Sequence, residues 1–566
     1  MPLSRAPTPS SRVFARSSLL ALGALCAAAI GIRAWLQFGT PLAPGMNGAY
    51  YFVQARALLD NGRLGIPDLP LTFWLHAGLA RVVATLPGWP QDDAIVFAVK
   101  LADSVLPPLA ALPIAWLGAS WQREAGRPSL VATLVPAALV CASAAPLSMV
   151  GDFQKNSLAL VWLAATAWAA HRFLAAPNLA RAAAVVACVA LLGLTHVGVL
   201  GAALVFLGVL AVVATATAAP EMRKHVLRVA LIGCLALGAA AAVTYRYDPA
   251  RVQRLWRAFA EPSSVVGNVD HPRGAFGPSG PPMGPPPGFA PDGSPSDPAT
   301  LYHRGPPAGF GPPGAPGNRG AMRVLPRVFF LGVGLGAIAL VLVRRRRLLA
   351  ADFAVAIAAA VGAAVLGGGF FDEQKSQRLM LIAVVPAAIA ASFLLAQIRR
   401  TFPRVLVGAV VFICAVTSGA LYAARGGRQI ITLAQRDELR SLAPLIASPE
   451  RTLIVAHHGL EWWTAWTLRT HIAQPTAVSR EDWQRYEHVY YLTEKSGMPR
   501  RRGGGGEDRF VAPPPFGPPG MGPENAVPDD AVVVHDGPLY TLARVDEAPD
   551  GQPSDAEVQA QRLKRQ

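Results

Sequence analysis

Several short polar segments interrupt an otherwise apolar chain, and their residue types suit acid–base chemistry beside a phosphate. The segment Val150-Gly-Asp152-Phe-Gln-Lys155-Asn156 sets a carboxylate three residues ahead of an ammonium group. Asp152 would orient or deprotonate a nucleophile, and Lys155 would neutralise an anion or pair with Asp152. His196, in Leu194-Thr195-His196-Val197, is either a satisfied polar residue or a hydrogen-bonding group for a ligand. Arg378 follows Asp372, Glu373 and Lys375; its guanidinium either snorkels to an interface or clamps a phosphate through two donors. Asp60 and Asp68 are further acids in a polar loop. Asp152 also suits the N-cap of a helix starting just after it, a purely structural role.

These segments need positioning elements, and composition says what kind. Of 566 residues, 52% are hydrophobic and 15% charged, and mean hydropathy is +0.35. The apolar residues fall in blocks of roughly 18 to 24, the length that crosses a hydrocarbon layer as a helix. The first runs from Ser17 to about Phe38, an uncleaved span rather than a signal peptide. Ten more follow near 98–120, 129–150, 156–175, 179–195, 197–217, 226–245, 324–343, 349–369, 378–397 and 404–424. The fold expected is an α-helical polytopic membrane protein of about eleven spans. All five cysteines lie inside apolar blocks, which excludes a disulfide framework in loops or tail. No phosphate-cradling glycine loop, dinucleotide fingerprint, zinc-protease motif or serine-hydrolase elbow is present.

Charge gives orientation. Every second gap is short and basic: Arg123/Arg127, Arg172/Arg181, Arg223/Lys224/Arg228, Arg344 to Arg347, and Arg399/Arg400/Arg404. The positive-inside rule makes these turns and residues 1–16 cytoplasmic. The net charge of +16 is then an insertion signal with affinity for anionic lipid, and nucleic acid is not an expected partner. The polar segments all fall outside. So do a first loop (39–97), a Pro/Gly-rich loop (261–319) expected to be disordered, and a tail from 425 to 566. Within the first loop, apolar residues at 52, 55, 58 and 59 predict an amphipathic helix capped by Asn47 and stopped by Gly62. Leu69 to Leu86, with Phe73, Trp74 and His76, predicts a second; both are expected at the membrane surface. The tail alternates helical and strand patterns around a Pro/Gly-rich insert at 498–527, predicting a small α/β domain with a hairpin through Asp536-Gly537. His457, His458 and Glu461 lie at a strand end without further ligands at metal spacing.

In arrangement the chain resembles the GT-C superfamily, integral-membrane glycosyltransferases that use polyprenyl-phosphate donors. Oligosaccharyltransferase catalytic subunits and protein O-mannosyltransferases belong to it. The resemblance rests on Asn47-Gly-Ala-Tyr50-Tyr51-Phe-Val-Gln-Ala-Arg56-Ala-Leu-Leu-Asp60-Asn-Gly, the Asp152–Asn156 turn, Leu194-Thr195-His196 and Gln377-Arg378. It implies sugar transfer on the outer face of a bacterial inner membrane, with a lipid-linked sugar donor and a glycan, lipid or protein acceptor. Catalytic positions would be Asp152, Asn47 and Asp60. Substrate would meet Tyr50, Tyr51, Arg56, Lys155, Asn156, His196, Glu373 and Arg378. Asn47 stands where the family commonly has an acid, and a carboxamide cannot take a proton there, so Asp152 is the leading substitute. No resident cofactor is expected; a divalent ion finds little support because Asp152 lacks a second acid beside it. The rivals are a non-catalytic relative that binds a lipid-linked glycan, and a transporter or flippase.

Overall fold

A computed structural model describes residues 16–124, 129–217, 220–247, 319–344, 348–370, 373–427, 429–495, 527–528, 530–549 and 551–558. The predicted disordered segments at 261–319 and 498–527 lie outside these residues except at their last positions.

Helices cover all eleven apolar blocks. They are α1 (Arg16–Phe38), α4 and α5 (Gln91–Val105 and Ala111–Glu124), α6 and α7 (Leu130–Cys141 and Ala144–Leu147), and α8 (Gln154–Ala175). Then come α9 (Leu179–Thr195), α10 (Val197–Thr217), α11 (Pro220–Tyr247), α12 (Arg319–Arg344), α13 (Ala350–Gly367), α14 (Glu373–Gln397) and α15 (Thr401–Ala424). Nine helical stretches among the described residues are long and apolar enough to cross a membrane. The remaining blocks are α9, 17 residues long, and α11, 28 residues long. The fold is that of a polytopic helical membrane protein.

Small residues let the spans approach closely, because lipid gives apolar side chains no reason to prefer a neighbouring helix. In α13, Ala354, Ala356, Ala358, Ala359, Ala360 and Ala363 are fully buried. Opposite them a side chain at Gly334 of α12 would sit 2.7 Å from the carbonyl of Ala360. Prolines lie inside α6, α12 and α14; Pro136 and Pro386 are buried against neighbouring helices, which tolerates the carbonyls they free.

Two shorter helices, α2 (Gly48–Asn61) and α3 (Leu71–Val83), follow the first span as predicted. Gly62 stops α2 in a left-handed conformation, φ +67°, and its N–H donates to the Leu58 carbonyl. One expectation is corrected: Asn47 occupies the N-cap position without a side-chain cap bond. The tail roofs part of α2 and α3, while Trp74, Leu75 and Val82 of α3 stay exposed. Tyr50, Phe52, Phe73 and Ile95 share one buried cluster with Leu439, Trp463, Tyr490, Tyr540 and Leu542 of the tail.

The tail holds α16 (Leu433–Ser441), β1 (Thr452–Val455), α17 (Leu460–Leu468), β2 (His471–Ala473), α18 (Asp482–Arg485), β3 (His488–Glu494), β4 (Val532–Asp536) and β5 (Tyr540–Val545). The sheet order is β2-β1-β3-β5-β4, with β1 parallel to β2 and β3, and β5 antiparallel to β3 and β4. The β4–β5 turn through Asp536-Gly537 is the predicted hairpin, closed by Gly537 N–H to the Tyr540 carbonyl at 3.0 Å.

Arg56 pins this roof down. Its guanidinium stacks 3.5 Å over the Trp466 ring, donates to the Trp466 carbonyl at 2.8 Å and meets Asp92 at 3.0 Å. Both terminal guanidinium nitrogens, expected to meet substrate, are engaged by α17 and α4. Burial lowers its pKa to about 10, with Asp92 opposing that shift, so it stays cationic. Arg56→Ala is expected to destabilise the tail's docking by about 1–2 kcal/mol. Arg56→Lys should restore little, because an ammonium lacks the planar fork. A lower thermal midpoint and faster proteolytic release of the tail in both variants would bear this out; unchanged values would contradict it.

Candidate active site

The chain between α7 and α8 makes a tight turn against the loop that leads into α2. Gly151 and Gly45 both adopt positive φ, +77° and +84°. A side chain on Gly151 would lie 2.2 Å from the Pro44 carbonyl, and one on Gly45 would lie 2.5 Å from Cβ of Asp152. Only two glycines let the backbones pass this closely. Gly151→Ala combines a left-handed backbone with a clash, so a loss of about 2–4 kcal/mol is expected. Its thermal midpoint should fall well below that of Gly62→Ala, where nothing lies within 4 Å of the added carbon.

That approach brings Asp152 to Asn47. The Asn47 backbone N–H and its side-chain amide both donate to one carboxylate oxygen, at 2.9 and 2.7 Å. Asp152 does not cap α8; that position belongs to Phe153. The turn is held from below by a buried network that sequence reasoning missed. Asp103 of α4 accepts from Gly151 N–H at 2.9 Å, from Gln37 at 2.5 Å, and from Arg33 at 2.7 Å. Arg33 spends its other donors on the Asp103 and Pro146 carbonyls. Both members of this ion pair are essentially inaccessible, at 1% and 0%.

In the first turn of α8, Lys155 pairs with Asp68 rather than with Asp152. The Tyr50 hydroxyl donates to the same Asp68 oxygen, and Gln54 donates to the Tyr50 hydroxyl at 3.0 Å. Burial would raise the Asp68 carboxyl, but the Lys155 ammonium and the Tyr50 hydroxyl outweigh it and hold it below its ordinary value of 3.8. Tyr51 bridges the two clusters: its hydroxyl donates to the Asp152 carbonyl at 3.3 Å and accepts from Lys155 N–H at 3.4 Å. Asp68, which reads as an ordinary loop acid in sequence, thus belongs to the site.

His196 joins from the turn between α9 and α10. Burial, aided by the charges of Lys155 and Arg378 and opposed by Asp68, pushes its pKa down to about 4. The ring is therefore neutral at pH 7. Nδ1 accepts from Val199 N–H at 3.2 Å, which leaves the proton on Nε2 as a donor. Arg378, exposed on the second turn of α14, lies within electrostatic reach of this ring. The 194–198 turn and the start of α14 therefore share one end of the bundle with Lys155 and Asp68.

Other expected residues are placed differently. Asp60 is exposed and accepts from Gln91 at 2.7 Å. Asn156 is buried in the first turn of α8. Glu373 opens α14, and its side chain lies outside the described residues.

The tail closes over the cluster. Trp462 of α17 packs its ring 4.7 Å from that of Tyr50. A side chain on Gly459 would lie 3.2 Å from Met46, the neighbour of Asn47. Between them in sequence, Glu461 accepts from Gln474 at 2.9 Å and meets His458 Nδ1 at 2.8 Å. No group of three His, Cys, Asp or Glu side chains among the described residues is arranged to hold a metal.

No family model and no curated protein matches the sequence. Among solved structures the chain is similar to ArnT from Cupriavidus metallidurans bound to undecaprenyl phosphate. That likeness spans 95% of this chain and 100% of the other, at 11% identity and a TM-score of 0.48.

Proposed function

We propose that this chain is a membrane glycosyltransferase of the GT-C type. It moves a sugar from a polyprenyl-phosphate donor to an acceptor on the extracytoplasmic face of a bacterial inner membrane. The observation that carries this reading is an anchored carboxylate, Asp152, on the turn that leads into Lys155, with the charges of Lys155 and Arg378 both acting on the buried His196 ring. A donor phosphate reaching this end from the lipid meets two cations and one neutral N–H donor. Asp152 engages the acceptor hydroxyl or amine, through whichever oxygen Asn47 leaves open. The acceptor gives up its proton to a base as it attacks the anomeric carbon, the bond from carbon to phosphate oxygen breaks, and its electron pair leaves on the phosphate. Lys155 and Arg378 balance that charge. Asp68 holds Lys155 in place until the phosphate arrives.

The test is release of polyprenyl phosphate by the purified, lipid-reconstituted protein given a panel of polyprenyl-phosphate sugars and acceptors. Release that is lost in Asp152→Ala and Arg378→Ala supports the assignment. Release unaffected by both variants refutes the roles. Donor binding without any turnover favours a glycan-binding relative, for which the neutral Asn47 is the motivating residue.

A further inference from the structure

The tail contributes more than a roof. His458 and Glu461 lie on the segment from the end of β1 into α17 that packs on the Asn47 loop: Gly459 faces Met46, and Trp462 packs edge-on against Tyr50. Glu461 is almost fully buried, at 2%, while the His458 side chain remains 28% exposed. One Glu461 oxygen receives Gln474 and faces His458 Nδ1, beside which the Gln474 amide nitrogen also lies at 3.0 Å, so that Nδ1–H and the Gln474 amide both donate to that oxygen; the other oxygen is sealed without a hydrogen-bond partner among the described residues. A buried carboxylate served this sparingly favours a full positive charge on its neighbour. His458 Nε2, by contrast, has no partner among the described residues. A carboxylate fixing one ring nitrogen while the other faces open space is the arrangement of an oriented general base.

We propose that His458, oriented by Glu461, is the catalytic base that receives the acceptor's proton, and that Asp152 orients the acceptor. This rests on the glycosyl-transfer reading above. In the step, the acceptor O–H or N–H bond breaks and its proton goes to Nε2 of His458. The freed electron pair forms the bond to the anomeric carbon, and the phosphate departs with the electrons of the old one. Glu461 stabilises the imidazolium until the proton is lost to water. The groups facing the ring are Glu461 on α17, Asp152 on the α7–α8 turn, Gln474 after β2 and the adjacent His457. Burial lowers the His458 pKa, but the Glu461 hydrogen bond and charge, with help from Asp152, outweigh it and leave the net shift upward.

The base form accumulates as pH rises through the His458 pKa, so kcat/KM should climb along an acidic limb set by this group. In Glu461→Gln the limb should move to lower pH and the plateau should fall roughly tenfold. His458→Ala should lose about 10²-fold and the limb together, and added imidazole should restore part of the rate. His458→Gln, which keeps the ring's approximate volume without a base, should behave like Ala without imidazole rescue. Turnover in wild type with unchanged rates and unchanged pH profiles in the His458 variants would overturn this proposal and leave the transferase reading standing. Absence of turnover in wild type across the donor panel would overturn both.

Discussion

Asp152→Ala is expected to lower kcat by about 10²-fold or more while leaving the thermal midpoint within a degree or two of wild type. The rate effect follows because the carboxylate is the only acid in contact with the Asn47 loop among the described hydrogen bonds, and acceptor placement errors of an ångström cost about that much. The small stability effect follows because Asp152 is only half-buried and its lost partners, the Asn47 donors, can turn to water. Asn47 sharpens the point. Its amide donates to Asp152, something a carboxylate at that position cannot do. Asn47→Asp would set two like charges within hydrogen-bond distance, so it should reduce turnover at neutral pH rather than improve it. A faster Asn47→Asp enzyme would show that the carboxylate belongs on the α2 side and that the Asp152 assignment is wrong.

Arg33→Met should have the largest effect on stability. It strips a cation from a pair at 1% and 0% exposure and leaves Asp103 charged among apolar helices, a loss of about 3–5 kcal/mol. Asp103 retains Gln37 and Gly151 N–H, which is why the variant should still fold under mild conditions. Because Asp103 also holds the Gly151–Asp152 turn, turnover should fall with stability. The double variant Arg33→Met, Asp103→Leu removes both charges and should recover much of the thermal stability but little of the activity. Recovery of both would mean the network does not position the turn.

The frame of this molecule was readable from sequence because lipid imposes a strong rule: apolar blocks of span length become helices, and all eleven do. Asp152, Lys155, His196 and Arg378 were also readable as interruptions of those blocks. What held them was not. Arg33, Gln37 and Asp103 sit inside or at the ends of apolar runs, where lone polar residues look like strays until helix packing pairs them across 66 to 70 positions. Their signal was that charges are rare within spans and, when present, are partnered or functional. Asn47 has the right residue type for a cap, yet tertiary contact with Asp152 outcompeted the local bond. The surface helices were found in sequence, but not their roof, because Arg56 meets Trp466 across 410 residues. β2 is three residues long, too short for alternation to mark it as a strand in sequence.

The most direct test of a single phosphate-binding cluster is photolabelling with an undecaprenyl phosphate analogue that carries its reactive group next to the phosphate. Label is expected on the segments containing Lys155, His196 and Arg378, suppressed together by excess undecaprenyl phosphate and weakened on all three by Lys155→Met. Label confined to lipid-exposed residues such as Phe402, Leu406 and Ile413 of α15, unchanged in Lys155→Met, would contradict it.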